Sequence, residues 1–292
     1  MNTLRGSIAL LFIILNTIFA CIPLYAMGLL RALLPRSQHA RWTRRMDWII
    51  DYWTGCNRML LARLGISRPQ LILGDDTVLS RDSWYLIVSN HQTWPDILLL
   101  QTQLRPLIPP IKFFTKRELI WLPFLGQAMW LLGFPYVRRI SRDQAAKNPR
   151  LKDADRREIE RACEGFRLHP TSILNFTEGT RYSAEKHAAQ QARFEHLLNP
   201  KVGGLTVVLA GLGEQLDGLL DVTIRYPGPP PSFWGFLCGR CQDPELLVTR
   251  RDIPPTVLAE AAQGGREALA AWIERLWQIK DAQLHQAPSQ LQ

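Results

Sequence analysis

The uncharged run from Ile8 to Leu30, IALLFIILNTIFACIPLYAMGLL, constrains this chain more than any other feature. As a helix of 23 residues it reaches about 34 Å, roughly the hydrocarbon thickness of a bilayer. A transmembrane or deeply inserted anchor is expected. Pro23 interrupts the run, so a single embedded helix and a helical hairpin dipping into one leaflet both satisfy the length. A cleaved signal peptide fits less well. Phe19 stands where a small residue is needed, and the run continues past Cys21.

The next stretch is basic. Residues 31–68 carry eight Arg against Asp47 and Asp51, with Trp42, Trp48, Tyr52 and Trp53 among them. Arg and Trp just beyond an apolar segment mark a cytoplasmic membrane interface. Trp42, Met46, Ile49, Ile50 and Trp53 also follow helical spacing, so the same stretch suits an amphipathic helix with a core face. Over the whole chain 35 Lys and Arg exceed 26 Asp and Glu, a net charge of +9. Such a surplus points to a polyanionic partner, and no nucleic-acid motif accompanies it. An anionic membrane surface or a phosphorylated or CoA-like substrate remains. An apolar share of 47% excludes global disorder. Five scattered Cys argue against a disulfide scaffold.

Beyond the basic segment, strands alternate with helices, which predicts an α/β domain with a central sheet flanked by helices. Strands are expected at 84–89, 111–114, 172–176, 205–210, 219–226 and 245–249. Helices are expected from Pro95 through Leu100, over 150–168 and over 255–281, the last with Trp272, Ile273, Leu276 and Trp277 on one side. The uncharged stretch Leu119–Val137 is broken by Pro123, Gly126 and Pro135, so it predicts a buried or interfacial apolar surface rather than a second span. The expected organisation is an anchor over 1–36, a basic interfacial helix over 37–68, the α/β domain over 69–282 and a polar tail over 283–292.

Three segments carry candidate chemistry. Asn90-His91-Gln92-Thr93-Trp94-Pro95-Asp96 comes directly after a buried strand. A turn between His91 and Asp96 lets the carboxylate reach the imidazole, fixing its tautomer and freeing the other nitrogen to take a proton from a hydroxyl. Taken alone, this spacing is more often structural. Thr177-Glu178-Gly179-Thr180-Arg181 ends another strand. Its glycine permits close backbone approach, and Arg181 is a forked donor suited to phosphate. An ordinary turn with a surface Arg would read the same. Gly133 to Arg139 places Arg138 and Arg139 at the end of a strand, a pattern that also fits a solvated face.

In that order, behind an N-terminal membrane segment, NHxxxxD, GxxxVRR and FTEGTR resemble the 1-acylglycerol-3-phosphate O-acyltransferase family of lysophospholipid acyltransferases. The resemblance runs from about Trp84 to Tyr226. Leu198 to Gly204 and Asp221-Val222-Thr223 are similar to its lysocardiolipin acyltransferase-like branch. Within that branch His169-Pro170-Thr171, Asn175-Phe176 and Glu185-Lys186-His187 resemble bacterial inner-membrane acyltransferases. Thr177 in place of the usual Pro, Arg138 in place of a frequent Asp, and Leu205–Ala210 without a Pro depart from the family pattern.

The resemblance implies a glycerolipid acyltransferase-like fold. It implies acyl transfer from acyl-CoA or acyl carrier protein to the hydroxyl of a lysophospholipid, foremost 1-acylglycerol-3-phosphate, giving phosphatidate. Lysophosphatidylglycerol or lysocardiolipin as acceptor, or a silent lipid-binding protein of the same fold, are the rival readings. His91 and Asp96 would be catalytic. Arg139, Glu178, Gly179, Thr180 and Arg181 would bind substrate, Glu178 by positioning either the glycerol or the turn. No cofactor, metal or nucleic acid is expected. Membrane lipids are expected partners, at a bacterial inner membrane with the catalytic domain facing the cytoplasm. Leu119–Phe134 is a candidate wall for the acyl chain, or plain core. No GxSxG elbow supports a serine hydrolase, and Cys238-Gly-Arg-Cys241 lacks the second ligand pair of a zinc site.

Overall fold

The computed structural model describes residues 2–137, 149–241 and 243–285. The apolar N-terminus is one helix, α1 (Asn2–Leu33), which runs through Pro23 without separating into a hairpin. Its small residues Gly6, Ala9 and Gly28 share the buried side with Asn16, Ala20, Cys21 and Leu24. Leu11, Ile14, Leu15, Phe19, Ile22 and Leu29 remain exposed on the other side.

The basic segment divides into α2 (Arg36–Met46) and α3 (Trp48–Arg63) rather than forming one helix. The break falls at Asp47, whose side chain turns inward to Lys112 (3.1 Å) and His169 (2.7 Å). α3 packs along α1, where Asn16 Nδ2 donates to Asn57 Oδ1 (3.1 Å) and to the Trp53 carbonyl (3.1 Å).

The sheet has six strands: β1 (Gln70–Leu73), β2 (Tyr85–Ser89), β3 (Ile111–Phe113), β6 (Ser172–Phe176), β7 (Gly218–Arg225) and β8 (Glu245–Arg251). Their order is β1-β8-β7-β2-β6-β3. β2 lies at the centre, parallel to β6 and β7, with Ser89 opposite Phe176 and Val222. Only β7 and β8 are antiparallel neighbours. All five residues of β2 are buried, as a strand covered on both faces requires. Leu86 and Val88 face one layer of helices, α6 (Pro149–Phe166), α8 (Gly203–Leu212), α10 (Pro255–Ala262) and α11 (Glu267–His285). Tyr85 and Ile87 face the other layer, with Leu100 and Leu104 of α4 (Pro95–Leu104). Alternation along one strand thus builds two cores.

Two further expectations change. Residues 205–210 are not a strand but the middle of α8, packed against α6 and α10. A short apolar run carries no period that separates a buried strand from a buried helix. The helix expected over 255–281 is two, α10 and α11, separated at Gly264, where φ is +78°. The four residues Trp272, Ile273, Leu276 and Trp277 are buried together.

Residues 115–137 form a small unit of short elements. β4 (Thr115–Lys116) pairs with β5 (Tyr136–Val137), and a 3₁₀ turn (Arg117–Trp121) leads toward α5 (Leu125–Leu131). A Cβ at Gly126 would lie 2.3 Å from the Leu119 carbonyl oxygen, so only glycine lets the turn close there. Ala128, Met129, Leu132 and Phe134 join the core, whereas Trp121, Leu122, Phe124 and Trp130 are exposed. An open groove of about 600 Å³ runs between Tyr25, Trp121, Phe124, Trp130 and Leu131.

Candidate active site

β2 ends at Ser89, and the chain turns through Asn90–Trp94 before Pro95 opens α4. Asn90 anchors the turn on β7, its Oδ1 accepting the Ile224 N–H (2.8 Å) and its Nδ2 donating to the Ile224 carbonyl (2.9 Å). The bend carries Asp96 back to His91, with Nδ1 and Oδ2 2.8 Å apart. The same oxygen accepts the N–H groups of Gln92 (2.6 Å) and Thr93 (2.9 Å). Asp96 Oδ1 accepts the Tyr226 hydroxyl (2.7 Å). Burial, then the charge of Asp96 and this hydrogen bond, raises the Tyr226 pKa, so the phenol stays a neutral donor.

With donors on every side, Asp96 acts as an acceptor carboxylate, and Nδ1 of His91 carries the proton it shares. Nε2 is then the lone-pair nitrogen. It has no hydrogen-bond partner among the described residues, and the side chain keeps 9% of its surface exposed. The ring stacks on Phe176 at 3.9 Å and 16°. This arrangement can accept a proton from a hydroxyl placed at Nε2.

β6 brings the Thr177–Arg181 turn alongside. Gly179 adopts φ +70°, a conformation glycine takes without strain. The Tyr182 N–H donates to the His91 carbonyl (2.7 Å), binding the two turns together. Glu178 is wholly buried. Its Oε1 accepts the His91 N–H (2.7 Å) and its Oε2 accepts the Leu198 N–H (3.0 Å). Of the two uses expected for Glu178, holding the glycerol and holding the turn, this geometry suits the second, because no oxygen faces solvent. Burial outweighs those hydrogen bonds and pushes its pKa up to about 7.

Arg181 is exposed and lies 4.7 Å over the Trp94 ring. Lys186 Nζ donates to Thr180 Oγ1 (3.0 Å) and to the Arg181 carbonyl (2.9 Å). The Lys201 ammonium lies about 3.4 Å from where a Gly179 Cβ would be. Gly179, Thr180 and Arg181 therefore meet His91 and Asp96 at one end of the sheet, among cations. Arg138 and Arg139 lie outside the described residues. Asn90, Lys186 and Lys201 lie in the segments that carry the resemblance but have no role assigned there, and Tyr226 carries no motif signature. Only the position of Tyr226 at the end of an apolar strand could have drawn attention to it.

The sequence model of the family described as Acyltransferase matches residues 72–211. Mouse 1-acyl-sn-glycerol-3-phosphate acyltransferase epsilon is 24% identical over 86% of this chain and 69% of its own length. The 1-acyl-sn-glycerol-3-phosphate acyltransferase of Escherichia coli K12 is 29% identical over 33% of this chain and 34% of its own. The crystal structure of the 1-acyl-sn-glycerophosphate (LPA) acyltransferase PlsC from Thermotoga maritima shares the fold, with a TM-score of 0.57 at 16% identity, covering 99% of this chain and all of the other. The Acyltransferase model and the relatives together support an O-acyltransferase of lipid metabolism. Within that class, the chain is similar to 1-acyl-sn-glycerol-3-phosphate acyltransferases, and residues 72–211 match the Acyltransferase model.

Proposed function

We propose that the protein is a membrane-bound enzyme that transfers a fatty acyl chain from acyl-CoA or acyl carrier protein to 1-acylglycerol-3-phosphate, giving phosphatidate. The observation that carries this reading is the His91–Asp96 pair, held at 2.8 Å beside the Arg181 turn. His91 Nε2 takes the proton of the acceptor hydroxyl as its oxygen attacks the thioester carbonyl carbon. The new C–O bond forms, the C–S bond breaks, and the thiolate leaves with the proton from the imidazolium. Asp96 holds the tautomer and stabilises the cation formed. Arg181, with the N–H groups around Gly179 and Thr180, holds the phosphate of the acceptor, and Arg139 is proposed to join it. Fixing both substrates removes much of the entropic barrier.

Membrane binding rests on α1. It is the one helix among the described residues long and apolar enough to cross a bilayer. However, the domain covers it along its length, from Gly6 against Cys238 to Gly28 against Leu131. Apolar side chains are exposed on one side only. A helix covered in that way suits lying in the interface with Phe19, Ile22 and Leu29 in the acyl region. Trp121, Phe124 and Trp130 border the groove on the same helix and suit the same lipid phase. A bacterial inner membrane with the domain on its cytoplasmic side agrees with the Arg-rich α2.

Purified protein incubated with labelled oleoyl-CoA and a panel of lysolipids tests the assignment. Product with lysophosphatidate is expected. Product only with lysophosphatidylglycerol or lysocardiolipin would move the acceptor, and no product with any donor would reject the reading.

A further inference from the structure

Away from the acyltransfer site, three metal-ligating side chains meet where the loop after α7 (Ala184–Ala189) crosses the end of α11. Glu195 and His196 belong to the loop, and His285 closes the helix. Asp281, one turn earlier on α11, accepts the N–H of Glu195 at Oδ2 (2.9 Å) and the N–H of His196 at Oδ1 (2.8 Å). These two hydrogen bonds pin the ligand-bearing segments to each other.

The consequence is a small, preset donor cluster. His285 Nδ1 is 3.6 Å from Glu195 Oε2, and His196 Nε2 is 3.9 Å from Glu195 Oε1. The two rings are 5.8 Å apart and tilted by 33°. One donor atom from each of the three residues lies within 4.8 Å of the others. These separations are too long for hydrogen bonds. Two ligands of a tetrahedral zinc ion, each about 2.0–2.1 Å from the metal, are about 3.4 Å apart. The widest pair, up to 4.8 Å apart, needs to close by up to about 1.4 Å to share such an ion. A second observation points the same way. His196 Nε2 is shielded from water and has no hydrogen-bond partner among the described residues. An imidazole nitrogen left in that state is costly, and a metal ion would satisfy it.

We propose that Glu195, His196 and His285 form a binding site for one divalent transition-metal ion, with zinc the best match. Two imidazoles and one carboxylate suit zinc, nickel or copper, whereas magnesium and calcium require more oxygen ligands. Three protein donors leave a coordination position for water. The ion joins the 190–199 loop to α11. That loop includes Leu198, whose N–H supports Glu178 behind His91. The site is therefore a staple under the acyltransfer centre, and its ion takes no part in the chemistry.

The test uses the full chain in detergent, stripped with a chelator and titrated with Zn²⁺ by calorimetry and with Co²⁺ by visible absorption. One equivalent should bind, with a ligand-field spectrum free of thiolate charge transfer, and zinc should raise the melting temperature. His285→Gln replaces a side chain that is 72% exposed, so loss of binding there is not unfolding. It and His196→Ala should each weaken binding more than about tenfold, and Asp281→Asn about tenfold through looser positioning. Undiminished binding in the His196→Ala, His285→Gln double variant would overturn the proposal. So would a thiolate band abolished by Cys241→Ser, or no binding by the wild-type chain.

Discussion

Two buried histidine–aspartate pairs stand at opposite ends of the same parallel strands. His91 and Asp96 lie at the carboxyl end of β2, 2.8 Å apart, and His169 and Asp47 lie near the amino end of β6, 2.7 Å apart. By distance and burial the two are nearly alike. They differ in what surrounds them. Asp96 is held by backbone N–H groups and a neutral phenol, and the far nitrogen of its histidine is open to an incoming group. Asp47 faces a second full charge, the buried Lys112 ammonium at 3.1 Å, which itself lies 5.5 Å over the Phe166 ring. The far nitrogen of His169 is enclosed and has no hydrogen-bond partner among the described residues. A short contact alone therefore does not make a base. Access to the second nitrogen and the absence of a cation on the carboxylate separate the pair proposed as a base from one that holds helices to a sheet.

The comparison can be broken by exchanging losses. His91→Ala should lower kcat/KM by about a thousandfold or more, with the melting temperature within a few degrees of wild type, measured with labelled acyl-CoA. Near-normal turnover would end the base assignment. Asp47→Ala should do the reverse. It strands Lys112 beside an empty site and should cost about 3–5 kcal/mol of stability, while the folded fraction keeps its specific activity. Burial pushes the Asp47 carboxyl up, but Lys112 and His169 more than offset this, so its pKa lies below the usual value. Its stabilisation is accordingly present above the ordinary carboxylate range and lost as the solution is acidified through the folded value.

Tyr226→Phe sharpens the same contrast. It removes one donor to Asp96 and nothing from the acceptor site, so kcat should fall about tenfold with KM nearly constant. If KM moves instead, the tyrosine touches substrate. Glu178 supplies the smallest effect. Its pKa is raised to about 7, so its contribution to stability is present below the ordinary value near 4.5 and is lost as pH rises through 7. Melting curves between pH 5 and 8 should show that decline in the wild type and not in Glu178→Gln. For the interface, Phe19→Glu with Ile22→Glu should reduce flotation with anionic vesicles. Removing residues 1–34 is a poorer test, because it also uncovers the partners of α1 in the domain.

Much of the pair's surroundings is legible in the sequence, because a strand, a turn and a proline at the start of a helix are local signals. The return of Asp96 to His91 results from them. Tyr226 and Leu198 are not legible, since their roles depend on where β7 and the 190–199 loop arrive after long excursions. Leu205–Ala210 misleads for a different reason. α8 is apolar on every side, including the exposed Ala210 and the half-buried Val207, so the period that would reveal it disappears. Pro23 leaves a single helix and a hairpin both open, and the single helix stands because a helix supported along one side by α3, α5 and α9 (Phe233–Leu237) tolerates one missing backbone hydrogen bond.

The strand order has a practical consequence. The span that matches the family, 72–211, starts inside β1 and stops inside α8. It therefore omits β7, which flanks β2, and β8, the strand paired with β1. A fragment trimmed to those limits would keep His91, Asp96 and Arg181. It would lose the Ile224 backbone that anchors Asn90 and the phenol on Asp96. Two sheet edges would also be left open to aggregation. The stretch that matches the Acyltransferase model is thus shorter than the stretch that completes the sheet.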